Sequence, residues 1–180
     1  LTSKSLTNVD ALAGLTNLTS LTLSECGALT NLDALARLTN LTSLDLSAGV
    51  GVFLPKTDAF ANLDALAGLK NLTSLRLHQF KSLTNVDSLA KLTNLTSLDL
   101  SWCESLANVD ALASLTNLTN LNLVCTSLPN VEVLAGLTNL TSLNLGGCKL
   151  LTNVDVLAKL TKLTSLDLSC CGSLTNIDAL

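Results

Sequence analysis

The chain has 180 residues, 48% hydrophobic but only 2% aromatic and 13% charged, with a formal net charge of −4. That length suits one domain. A weakly acidic, aromatic-poor chain lacks the basic footprint and stacking rings expected of a nucleic-acid binder. No apolar run approaches the ~20 residues that a membrane span needs, so neither nucleic acid nor membrane insertion is expected. The chain opens at Leu1 without a methionine, a basic stretch or a signal-like apolar stretch, so its natural start is expected to lie elsewhere.

Repetition organises everything after this. Aligned on LTNVDALAGLTNLTSLDLSxCxS, copies begin at Leu6, Leu29, Phe60, Leu83, Leu106, Leu128 and Leu151, with a stub at Leu174. Most steps are 23 residues; the step from Leu106 is one shorter, and the step from Leu29 carries eight extra residues. In the first copy the apolar positions are Leu6, Val9, Leu12, Leu15, Leu18, Leu21 and Leu23, then Cys26. Their spacing is three until Leu21-Thr22-Leu23, where it becomes two.

A spacing of three suits tight turns or 3₁₀ segments, in which i and i+3 eclipse. A spacing of two reads as a short strand with leucine inward and threonine outward. Asn8 or Asp10 can cap the turn that starts at VDAL. Each copy therefore predicts one coil, with a strand on one side and a 3₁₀ or turn segment on the other. A single coil buries too little to offset the entropy of ordering it, so the coils must stack into a solenoid with a parallel sheet.

The string LTSLDLSWC, Leu95 to Cys103, resembles the leucine-rich repeat pattern LxxLxLxx(N/C), and the likeness covers essentially residues 1–180 as a single domain. The return arm LTNVDALAGLTNL resembles bacterial internalin-like repeats, while the extra residue in Cys103-Glu104-Ser105-Leu106 is closer to the cysteine-containing class. The resemblance implies an α/β-type repeat solenoid: a horseshoe with a parallel β-sheet on the concave face and turns or 3₁₀ segments on the convex face. It also implies a module, usually non-catalytic, that binds a protein partner through the concave face; no cofactor and no metal are expected.

Positions where the copies disagree point to the surface that recognises a partner. Between the strand leucines stand Thr22, Asp45, Arg76, Asp99, Asn122, Asn144 and Asp167. After the strand stand Ser24, Ser47, His78, Ser101, Val124, Gly146 and Ser169, and a further row includes Glu25, Ala48, Gln79, Trp102, Gly147 and Cys170. Arg76 is expected one strand spacing from both Asp45 and Asp99, and Trp102 beside Gln79. The insertion near residues 49–59, carrying Phe53, is expected to project as a loop at the same edge. Arginine and tryptophan are enriched at binding hot spots. The candidate partner-binding patch is therefore Arg76, His78, Gln79, Asp99, Trp102, Glu104 and Phe53. Against it, Arg76 between two aspartates can serve only to offset like charges, and Phe80 is expected to fill the core slot that cysteine takes elsewhere.

Other constellations carry less. Ser47, His78 and Ser101 with Asp45 or Asp99 supply the residue types of a hydrolase triad, but an open strand face offers neither a strained elbow nor an oxyanion hole. Five of the six cysteines, including Cys125, are assigned to one buried ladder, provided the fifth copy's missing residue precedes Cys125. Cysteines that follow a repeat do not form a disulfide framework, and one distant histidine makes a poor zinc site. The carboxylate row from Asp10 to Asp178 is explained by turn capping without calcium. The recurring Asn-Leu-Thr matches a glycosylation acceptor, yet repetition alone reproduces it. Finally, Leu1 and Leu180 both fall within a coil, which suggests a fragment of a longer array or a structural solenoid that self-associates end to end.

Overall fold

The computed structural model describes residues 3, 5–26, 28–29, 31–47, 63–178 and 180. Seven strands form one parallel sheet in chain order: β1 (Ser20–Thr22), β2 (Ser43–Asp45), β3 (Ser74–Arg76), β4 (Ser97–Asp99), β5 (Asn120–Asn122), β6 (Ser142–Asn144) and β7 (Ser165–Asp167). On the opposite side run 3₁₀ segments, from Asp10–Gly14 in the first coil to Asp155–Lys159 in the seventh. No α-helix occurs among the described residues. The result is a leucine-rich repeat solenoid.

The two apolar spacings have distinct backbone causes. Along the return arm, every third residue donates three positions back: Leu12 N–H to Val9 C=O, Leu15 to Leu12, and Leu18 to Leu15. Each bond turns the next leucine onto the same side, which is the 3₁₀ geometry. In the sheet the central leucines fall in register, Leu44 on Leu75, Leu75 on Leu98 and Leu98 on Leu121, all buried. Phe80 is buried at the ladder position of the third coil, as expected. At the terminal coils Leu15, Leu166 and Ile177 are left half-exposed.

Polar rows repeat with the same period. Thr42, Thr73, Thr96, Thr119, Thr141 and Thr164 each direct a hydroxyl to the carbonyl of the equivalent threonine one coil earlier, at 3.0–3.1 Å. The Asn-Leu-Thr asparagines also reach back: Asn94 Nδ2 donates to Lys70 C=O and Asn117 Nδ2 to Thr93 C=O. These amides join coil to coil, which gives the recurring tripeptide a structural cause.

Of the two capping candidates, asparagine does the capping. Asn108 Oδ1 accepts the Asp110 backbone N–H at 2.6 Å, and Asn8, Asn31, Asn85, Asn153 and Asn176 do the same for the acidic residue two positions on. The Asp110 side chain opens the 3₁₀ segment and accepts from Asn108 Nδ2 at 3.0 Å. Asn108→Ala is therefore expected to lower the free energy of unfolding by ~1 kcal/mol, and Asp110→Ala by clearly less, both read from urea unfolding midpoints.

The thiol ladder also differs in one member from expectation. Cys103, Cys148 and Cys171 donate S–H to the C=O of Leu77, Leu123 and Leu145, one coil earlier. In the fifth coil Thr126 occupies the buried slot and donates to Leu123 C=O at 2.8 Å. Cys125 instead takes the left-handed backbone position ahead of the ladder, with φ 57°. The missing residue thus follows Thr126. All six cysteines are free thiols.

Burial pushes the Cys103 thiol from 9.0 up to about 12. The folded chain keeps this proton where the unfolded chain releases it, so stability falls as pH rises from 9.0 towards about 12. Cys103→Ala should lose less stability than the unaltered chain across that window, measured by denaturant unfolding at a series of pH values.

Candidate functional site

Seven coils stacked in register present three outward rows on the sheet and a fourth along its edge. The row between the strand leucines is more structural than its variability suggests. Asp45, Asp99, Asn122, Asn144 and Asp167 each turn an Oδ1 back to the backbone N–H two residues on, at 2.8–3.2 Å. This side-chain turn closes the strand end in five coils. The Ser169 backbone N–H, and then its hydroxyl, hold the Asp167 carboxyl below the usual carboxylate range.

Arg76 has no acceptor to offer and breaks that pattern. Its register is the expected one, opposite Asp45 on one side and Asp99 on the other. Nη1 lies 3.8 Å from Asp45 Oδ2, and the side chain remains 63% exposed. Such a long, solvated contact contributes at most ~1 kcal/mol.

Beside Arg76, His78 Nδ1 lies 2.8 Å from Ser101 Oγ, and Ser101 Oγ–H donates to Asp99 Oδ1 at 2.6 Å. A hydroxyl carries one proton, and Ser101 gives it to the carboxylate. Nδ1 of His78 must therefore carry a proton and donate to Ser101, which leaves Nε2 as the ring nitrogen not engaged by Ser101. The order is Asp–Ser–His, whereas in a hydrolase triad the imidazole stands between serine and carboxylate and takes the serine proton. Ser101 is also buried, at 3% exposure. What the arrangement does chemically is orient an imidazole next to a guanidinium.

The edge row is set by backbone strain. The sheet ladder continues past the strands through Gln79 N–H to Ser101 C=O, Trp102 N–H to Val124 C=O and Cys125 N–H to Gly146 C=O. The chain then turns away through a left-handed residue in six described coils: Glu25, Gln79, Trp102, Cys125, Gly147 and Cys170. Glycine adopts this conformation without penalty, whereas other residues cost roughly 1–2 kcal/mol there. At Gly147 an added Cβ would meet Cys125 Sγ at 2.7 Å, so any larger residue would displace that thiol. A tryptophan in this row is unusual, and Trp102 is 42% exposed. It lines a surface notch of about 430 Å³ with Glu104, Cys125, Ser127, Lys149 and Leu150.

The expected patch is thus divided between two surfaces. Arg76, His78 and Asp99 gather on the sheet of the third and fourth coils, and Asp99 is occupied by Ser101. Trp102 and Glu104 belong to the edge notch, and Glu104 pairs with Lys81 at 2.9 Å. Gln79 stands in the same edge row as Trp102, one coil earlier. Phe53 and the insertion lie outside the described residues. Sequence reasoning missed Ser101 as the support of His78, and it missed Lys149, Leu150 and Cys125 as notch residues. The one-residue deletion in the fifth copy was the signal for the notch. Among the described residues, no cluster of three or more His, Cys, Asp or Glu side chains could hold a metal ion, and no helix is long and apolar enough to cross a membrane.

Removing the Trp102 side chain separates strain from contact. Trp102→Gly is expected to be about 1 kcal/mol more stable than Trp102→Ala, because glycine adopts the positive φ without the cost that a Cβ adds. Parallel urea titrations of the two variants measure this.

Residues 76–179 match the family profile described as a BspA type leucine rich repeat region, in six copies. No curated protein matches the chain. Internalin C2 of Listeria monocytogenes superimposes with a TM-score of 0.81 at 28% identity, covering 99% of this chain and 73% of that one. The leucine-rich repeat domain of the type III effector XopL gives a TM-score of 0.69 at 26% identity, over 93% of this chain and 58% of that one. Internalin F of Listeria monocytogenes, at 24% identity, shares the fold with a TM-score of 0.67 over 84% of this chain and 48% of its own.

Proposed function

Because the chain belongs to the leucine-rich repeat family, whose repeat domains generally act as protein-interaction modules, we propose that residues 1–180 work as one domain that binds a protein partner through the sheet of the third and fourth coils. Arg76 and His78 are its centre, with Gln79 and Trp102 at the adjoining edge.

The observation that carries this reading is the exception at Arg76. Five other coils use the equivalent side chain to close the strand end, whereas the third places a solvated guanidinium there. A substitution made only to balance charge would bind its aspartates closely; at 3.8 Å and 63% exposure Arg76 does not. Next to it, the Ser101 contact occupies Nδ1 of His78 and, in the neutral ring, leaves Nε2 as an acceptor. Guanidinium and imidazole together suit a partner surface that presents an acidic side chain beside a hydrogen-bond donor. The remaining outward residues here are short and polar, so they admit an approaching surface without contributing much binding energy.

Capture of partners by the intact chain, followed by mass spectrometry, identifies the ligand. The double variant Arg76→Ala, Trp102→Ala is then expected to weaken that complex by more than ~2 kcal/mol in total if these residues are hot spots, with little change in melting temperature. Unchanged affinity combined with a large loss of stability would show instead that both side chains serve only the fold.

A further inference from the structure

The fifth coil is one residue short, and the deletion has a spatial consequence. After the buried ladder residue the fourth coil continues with Glu104 and Ser105, and the sixth with Lys149 and Leu150; the fifth has only Ser127 before Leu128. Ser127 leans on the preceding coil, its N–H on Leu106 C=O at 3.0 Å and its hydroxyl on Glu104 C=O at 2.5 Å. Space for one missing residue therefore opens between Ser127 and the sixth coil, and this is the notch of about 430 Å³.

Two independent features converge there. Among the described residues, the exposed large hydrophobic side chains are those of the two terminal coils together with Trp102 and Leu150, 42% and 55% exposed. Both members of that internal pair line the notch. The charges at the rim are unequal: Glu104 is neutralised by Lys81 at 2.9 Å, whereas Lys149 forms no ion pair among the described residues. The floor is uncharged, with Cys125 packed against Gly147 and burial pushing its thiol up. The notch thus offers an aromatic wall, an aliphatic wall and one available ammonium group.

We propose that the notch docks an extended segment of a partner protein, seating one large apolar side chain between Trp102 and Leu150 with a neighbouring carboxylate against Lys149. A cavity of this size accepts a side chain such as phenylalanine, and a buried aromatic anchor beside a rim charge is how short segments gain affinity and register. The notch stands apart from the sheet-face reading and shares only Trp102 with it.

Trp102 is the only tryptophan and there is no tyrosine, so intrinsic fluorescence reports the notch directly. The probes are three capped peptides, acetyl-Gly-Phe-Asp-Gly-amide, its Phe-Asn counterpart and its Gly-Asp counterpart. The Phe-Asp peptide is expected to change the emission saturably. The Phe-Asn peptide should bind roughly two- to fivefold more weakly, as loss of a solvated ion pair dictates, and the Gly-Asp peptide should show no saturable change. Lys149→Ala should reduce the Phe-Asp peptide to the Phe-Asn level, while Arg76→Ala leaves it unchanged, which separates this site from the sheet face. Inserting a glutamate between Thr126 and Ser127, as in the fourth coil, should abolish binding by filling the notch. Leu150→Asp, at an exposed position, provides a second block should the insertion disturb folding. No saturable signal with the Phe-Asp peptide, equal binding of the Gly-Asp peptide, or undiminished binding to a folded insertion or Leu150→Asp variant overturns the proposal.

Discussion

The structure depends on leucines of one coil closing over those of the next. No coil has a core of its own: Leu75 is covered because Leu44 and Leu98 lie in register on either side. Backbone pairing and apolar burial therefore form together, and each requires a neighbour of the same shape. This constraint explains why the interior scarcely varies, and why leucine recurs wherever the chain turns inward.

The same constraint shapes the polar residues. A stack that must be identical coil after coil can use identical polar rows as struts, and it does: threonine hydroxyls, asparagine amides and thiols each reach one coil back. Once those rows are assigned to the fold, few outward residues remain unexplained. Arg76 gives up a strand-closing bond, Trp102 exposes a large ring in the edge row, and the fifth coil drops a residue. Each departs from what stacking alone would select, and all three fall within the third to sixth coils. The proposed binding role rests on these departures, because none of them brings a local structural gain.

Much of this was legible in the sequence. The change in spacing from three to two at Leu21-Thr22-Leu23 translated directly into 3₁₀ bonds and strand, and aligning the copies across the insertion placed Arg76 between Asp45 and Asp99. What escaped reading depended on geometry finer than spacing. Asn108 and Asp110 are both good caps by type, and only the turn's shape decides that the asparagine reaches the N–H. Cys125 and Thr126 are both small enough for the ladder; the need for a left-handed residue after the strand settles which is buried. The turned-back carboxylates were invisible because aspartate and asparagine at an outward position look like mere surface variation. The direction of Trp102, along the edge and into a gap left by a deletion, required the coordinates of three adjacent coils.

The most direct test of the central claim replaces the exceptional side chain with the one that the stack prefers. Arg76→Asn restores an acceptor like those of Asn122 and Asn144, which close their strand ends in the fifth and sixth coils. The account predicts an unfolding midpoint in urea equal to or above that of the unaltered chain, by up to ~1 kcal/mol, together with loss of the captured partner. A lowered midpoint with capture intact would contradict it, because Arg76 would then be holding the coils together.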